Sequence, residues 1–201
     1  SALELARKID VVLFDKTGTL TKGEYGVEKV IGNAIDENGT LQYAASVDSR
    51  SEHFVARAIT REAKDRKLDL FDADNFQRVP GRGAGGVVNG EEVLVGGEAI
   101  LEEAKITVPA ALKPDIDMLA QQGKTITYVI VGGKLGGVIS LGDIIREESK
   151  EAVGALKDMG VDVVMITGDS EDVASWVAKE LGIDTYFARV LPQEKSEKVK
   201  L

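Results

Sequence analysis

A chain of 201 residues holds one large domain or two modest ones, and 43% hydrophobic with 29% charged residues is the balance of a globular protein. A net charge of −9 argues against broad contact with nucleic acid or an anionic membrane, and the absence of cysteine removes disulfides and thiolate metal sites. No window approaches the ~18 consecutive apolar residues of a spanning helix, and the opening SALELARKID lacks the apolar core of a signal peptide.

The first twenty residues read as a helix-like lead followed by VVLF (11–14), an apolar run with β-branched members. Such a run is expected to form a strand buried on both faces. It passes into DKTGTLT (15–21), so Asp15 should sit at the C-terminal end of that strand, where an α/β sheet gathers its ligands. Gly18 lets the backbone turn there and offers amides to an anion. A carboxylate in this place is a nucleophile, a metal ligand or a helix cap, and Asp15 alone does not choose among them.

Residues 26–137 are organised differently. The stretch 39–67 predicts two helices and PDIDMLAQQG (114–123) a third. GGVVNGEEVLVGG (85–97) places Asn89-Gly90 between apolar runs, the strongest short hairpin signal, and TITYVIVGGKLGGVIS (125–140) repeats the pattern around Gly132-Gly133. An antiparallel sheet with helices is expected. NGT (38–40) reads as a turn rather than a glycosylation acceptor.

From residue 138 the chain returns to βα alternation. VISL (138–141) predicts a strand and 146–160 an amphipathic helix closed by Gly160. VDVVMIT (161–167) is a second buried strand, and 170–182 a helix with Ser170 at its N-cap, Gly182 at its end and Trp176 packed into the core. TYFAR is a third strand, before a charged helix that Pro192 begins. Alternation of this kind predicts a parallel sheet covered by helices. The domains are therefore 1–25 with 138–201, and an inserted 26–137.

A phosphoryl-accepting Asp15 would need groups that neutralise phosphate charge. ITGD (166–169) closes the second strand with the Thr167 hydroxyl, the Gly168 backbone and Asp169. PQEK (192–195) places Lys195 just inside the following helix, as a point charge for a transferring group. Taken singly, these are a turn residue, a helix cap and a solvated charge; together they specify far more.

DKTGTLT, TGD and PQEK, in that order, resemble the phosphorylation domain of P-type ATPases. The resemblance implies a haloacid-dehalogenase-like α/β domain with an inserted α+β nucleotide-binding domain. It implies that Asp15 accepts the γ-phosphate of ATP, with Lys16 beside it, and that the Asp15 carboxylate and Thr17 carbonyl help bind Mg²⁺. Thr167, Gly168, Asp169 and Lys195 would surround the phosphoryl group, and GDIIR resembles a D-x-x-R hinge element carrying Asp143 and Arg146. Soluble phosphatases of the wider superfamily carry a general acid–base aspartate two residues after the nucleophile, where this chain has Thr17. Loss of a general base costs about 10²–10⁴-fold, so an aspartyl phosphate should persist.

In the insert, SEHF resembles the SEHP motif of the heavy-metal-transporting class, implying that Glu52 and His53 approach the adenine. Phe54 departs from that motif, and Asp48 stands where the class has glutamate. GRGAGG (81–86) matches a dinucleotide-binding fingerprint, but a hairpin rather than a helix follows, so that reading fails. The resemblance instead implies that Gly81, Gly83 and Gly96 admit the nucleotide to the backbone. It also implies a parent chain whose membrane and actuator domains lie elsewhere, with this part cytoplasmic. The transported ion would be copper, or after it a zinc-type cation. The family's G-D-G-x-N-D element is absent, so the piece is expected to bind nucleotide and turn over slowly or not at all. The competing readings are a soluble phosphatase and a nucleotide-binding regulatory module.

Overall fold

The computed structural model of the protein describes residues 9–79 and 82–191. Their contacts divide into two compact units: the described residues up to Glu24 with those from Asp143 onward, and Tyr25–Gly142. The helix-like lead and the helix after Pro192 lie outside the described residues, as do Gly81 and Lys195.

In chain order, β1 (Val11–Asp15) leads through a turn at Lys16–Leu20 into β2 (Thr21–Gly32). Two helices follow, α1 (Glu37–Asp48) and α2 (Phe54–Asp65). Next come β3 (Ala73–Val79), β4 (Gly83–Val88), β5 (Glu91–Gly96), α3 (Ala99–Ala104), α4 (Lys113–Gln121) and β6 (Thr125–Val131). The chain continues through β7 (Lys134–Ile145), α5 (Glu147–Asp158), β8 (Asp162–Ile166), α6 (Glu171–Leu181) and β9 (Thr185–Phe187).

The second unit is built on a sheet ordered β2-β7-β6-β5-β4-β3. Its central strands are covered on both faces, which the side-chain period of two makes visible. Val129 and Ile139 join a core with Leu41, Ala45 and Ile59 from α1 and α2. Their neighbours Tyr128, Ile130 and Val138 join the opposite core with Ile100, Leu101 and Ile116 from α3 and α4. Burial on both sides explains why β6 is a nearly unbroken apolar run. Both hairpins form at the expected turns, with left-handed backbone at Asn89 (φ 50°) and Gly90 (φ 78°) and at Gly132 and Gly133.

In the first unit, β1, β8 and β9 pair in parallel in the order β1-β8-β9. Met165, Val163 and Leu20 pack with Val153 of α5 and Ala174, Val177 and Leu181 of α6, and Trp176 is half-buried against them. The α6 helix ends on Gly182 in the left-handed region (φ 72°). Ser170 occupies the N-cap, but its side chain makes no capping hydrogen bond.

Three expectations change. VVLF is half-buried rather than covered on both faces, and Val11 is 54% exposed; β1 has only β8 beside it among the described strands. VISL is not a strand of the parallel sheet: it continues the hairpin partner of β6, with Leu141 opposite Thr125, so the second unit runs to Gly142 rather than 137. NGT lies in the first turn of α1 instead of a loop, because the Asp36 side chain accepts from the Gly39 N–H and starts the helix there. Finally, β2, β3 and α3 had no clear signal: β2 is interrupted by Gly and charge, and β3 carries a bulge between Asp74 and Gln77.

Candidate functional site

The register of the parallel sheet positions the first constellation. Asp15 ends β1 directly opposite Ile166 of β8, so Thr167 is the next residue out along the same edge. Beyond Asp15, Thr17 (φ −75°, ψ 123°) and Gly18 (φ 77°, ψ −6°) form a type II turn, which needs φ > 0 at its second central position and therefore glycine. Thr167 is buried; its hydroxyl donates to Asp169 Oδ2 at 2.8 Å and accepts from the Asp169 N–H at 3.1 Å. The Thr167 N–H donates to the Phe187 carbonyl of β9, and the Val190 N–H donates back to Thr167. Gly168 is exposed at the sheet edge.

Lys16 points inward. It is a buried cation, with Nζ 2.9 Å from Asp169 Oδ2 and 3.5 Å from Asp143 Oδ2. Asp143 accepts from the Thr21 hydroxyl at 2.5 Å and from the Gly23 N–H at 3.1 Å. Arg146 Nε donates to the Thr21 carbonyl at 3.1 Å, and its backbone N–H to Leu20 at 3.1 Å. Asp143 and Arg146 thus fasten the start of β2, while Lys16 ties that fastening to the loop after β8. A buried charge needs such partners, since desolvation would otherwise penalise it by several kcal/mol, of order ~5.

Hard oxygen donors stand at this edge: the Asp15 carboxylate and the backbone carbonyl of the exposed Thr17. Mg²⁺ takes one or two carboxylates and completes its shell with water and phosphate oxygens, so this donor set fits it. Among the described residues no group of three or more His, Asp or Glu forms a closed metal cage.

The second constellation lies inside the Tyr25–Gly142 unit, as a cleft of about 550 Å³. Asp48, His53, Gly83 and Gly96, from four separate stretches of sequence, all line it. Asp48 ends α1 and is buried, and burial pushes its carboxyl up from 3.8 to about 7. His53 caps α2: its Nδ1 accepts from the Val55 N–H at 3.4 Å. Its own N–H donates to Ser51 Oγ, and its ring lies 4.5 Å from that of Phe54. Glu52 is exposed and does not line the cleft.

Gly83 and Gly96 face each other across β4 and β5. A Cβ on Gly83 would lie 2.0 Å from the Val95 carbonyl oxygen, and one on Gly96 would lie 2.1 Å from that of Arg82. Close strand approach alone therefore demands glycine at both positions. The cleft also takes in Arg78, Arg82, Thr125 and Thr127, which sequence reasoning passed over. A signal existed for the threonines: two polar residues on one face of an otherwise apolar strand. Arg82 stood between the two glycines that drew the attention.

A family model described as a haloacid dehalogenase-like hydrolase matches residues 9–201. Over 199 residues, 99% of the chain, the sequence is 45% identical to the copper-exporting P-type ATPase B of Archaeoglobus fulgidus, covering 28% of that protein. It is 34% identical over the same length to the copper-exporting P-type ATPase of Staphylococcus epidermidis, covering 25% of it. The chain therefore spans roughly a quarter of the length of these curated relatives. Among solved structures, a zinc-transporting PIB-type ATPase in its E2.Pi state superposes with a TM-score of 0.84 at 34% identity, over 98% of this chain and 32% of that one. The catalytic domain of the CPx-ATPase CopB-B, whose conformational changes upon nucleotide binding were described, gives 0.59 at 26% identity, over 99% and 68%.

Proposed function

The chain belongs to the haloacid dehalogenase-like hydrolases, and from that premise we propose that it is the catalytic part of a heavy-metal P-type ATPase, binding ATP in one unit and accepting its γ-phosphate on Asp15 in the other. The observation that carries this reading is the Asp15–Ile166 register, which sets a strand-end carboxylate beside Thr167 at one sheet edge. A separate cleft holding Asp48 and His53 supports the nucleotide half.

In this mechanism an Asp15 carboxylate oxygen attacks the γ-phosphorus in line. The new O–P bond forms as the bond to the bridging oxygen breaks, and ADP carries that electron pair away. Thr167, turning its hydroxyl proton from Asp169 to the phosphoryl group, and the Gly168 backbone hold the phosphoryl oxygens, with Lys195 as their cation. Lys16, Asp143 and Asp169 fix the nucleophile's loop, and Arg146 braces β2. The Asp15 carboxylate and the Thr17 carbonyl would hold Mg²⁺, which would neutralise phosphate charge. With Thr17 in place of a general base, hydrolysis lags by about 10²–10⁴-fold and the aspartyl phosphate accumulates. The adenine sits by Asp48 and His53, near Gly83 and Gly96; Gly81 adjoins them in sequence, and Glu52 supports from outside.

The names of the copper-exporting relatives favour copper as cargo, ahead of the zinc carried by the PIB-type neighbour. No helix among the described residues is long and apolar enough to cross a membrane. The chain spans roughly a quarter of its copper-exporting relatives, and this reading assigns the ion's ligands and the actuator to the remainder of the parent protein. This part then works as a cytoplasmic domain of it. Incubating the parent and this chain with γ-labelled ATP and Mg²⁺ tests the reading. Acid-stable, hydroxylamine-sensitive label should appear on the parent and vanish in Asp15→Asn. Rapid Mg²⁺-dependent hydrolysis of small phosphomonoesters by this chain would replace the reading with a soluble phosphatase.

A further inference from the structure

The nucleotide cleft has a cationic side that the purine-facing residues leave unexplained. Arg78 of β3 and Arg82 at the entry to β4 both line it. Arg82's backbone is pinned: the Gly97 N–H donates to its carbonyl at 3.2 Å, and Gly96 packs too closely against that carbonyl to carry a Cβ. With its carbonyl held there, Arg82 meets any partner through its side chain. It is 52% exposed, and its Nη1 donates to Glu103 Oε2 at 2.9 Å through a single bond. Glu103 lies on α3 and is not part of the cleft lining.

A one-point ion pair between two half-exposed side chains is weak. A polyphosphate offers the same guanidinium several oxygens and more charge, in the forked geometry that arginine matches best. We propose that Arg82 grips the polyphosphate of the bound nucleoside triphosphate after letting go of Glu103, so that Glu103 is a built-in competitor setting affinity. The proposal rests on the nucleotide reading above and adds to it a phosphate contact and a brake. It predicts discrimination by phosphate number: Arg82 acts on ATP and ADP and is indifferent to adenosine, whose recognition belongs to Asp48 and His53. Glu103 acts only through Arg82.

Calorimetric titration of the 201-residue chain with ATP, ADP and adenosine at low ionic strength tests this, in the unsubstituted form, Arg82→Gln, Glu103→Gln and the double variant. Arg82→Gln should weaken ATP by about tenfold, as for loss of a charged hydrogen bond, and leave adenosine unchanged. Glu103→Gln should tighten ATP by roughly two- to fivefold, the release of a weak surface pair. The double variant should match Arg82→Gln alone. Equal losses for ATP and adenosine in Arg82→Gln would make the residue structural and overturn the proposal. So would an unchanged ATP affinity, or a Glu103→Gln gain that survives in the double variant. An unsubstituted chain that binds neither ATP nor adenosine would instead remove the nucleotide reading beneath it.

Discussion

Replacing Asp48 with asparagine isolates the cost of keeping an ionisable group largely out of water. Asp48 is 5% exposed, and burial raises its carboxyl from 3.8 to about 7. The folded protein therefore holds this proton more tightly than the unfolded chain. Its contribution to stability is complete below 3.8 and is lost as the pH rises through about 7. At about 1.4 kcal/mol per pH unit the full loss is about 4 kcal/mol, of which about 2.5 kcal/mol falls between pH 5 and pH 8. Asparagine keeps the shape and cannot ionise. The stability of Asp48→Asn relative to the parent should thus climb by about 2.5 kcal/mol across that interval. Urea denaturation followed by circular dichroism at both ends of it measures the change. Trp176, the sole tryptophan, lies in the other unit, so its fluorescence reports that unit separately. A stability difference equal at the two pH values would refute the reasoning.

Gly83→Ala drives a Cβ to 2.0 Å from the Val95 carbonyl and should cost at least about 2 kcal/mol in urea denaturation; an unchanged midpoint would show that the strands can part freely. Lys16→Met removes the ammonium that stands 2.9 Å from Asp169 and 3.5 Å from Asp143. The loss should be about 2–3 kcal/mol, below that of a fully buried pair because the Asp169 side chain is 36% exposed, and the Trp176 transition should report it. His53→Ala removes both imidazole and helix cap, whereas His53→Asn keeps a capping oxygen. ATP affinity should fall in both, and the cap's stability, about 1 kcal/mol, should fall only in the first. Full ATP affinity in His53→Asn would take the imidazole out of the site.

Local rules made much of this protein readable from its letters. Asp15 at a strand end, Gly18 in a turn that needs φ > 0, Asn89-Gly90 between two strands and Gly182 closing α6 each depend on neighbours a few residues away. Order along the chain also foretold an antiparallel unit inside a parallel one, because periodicity and turn chemistry change character at the insertion. What remained hidden depends on partners distant in sequence. Leu141 belongs to the second sheet because Thr125 lies opposite it, a pairing that the apolar run VISL cannot announce. Lys16 reads only as a neighbour of Asp15 until folding brings Asp143 and Asp169 around it. Gly83 and Gly96 read as room for a ligand until the strands meet and each is seen to make room for the other's chain. Arg82 shows the same division: its charge is written in the sequence, but the cleft on one side and Glu103 on the other exist only once β4, β5 and α3 have packed.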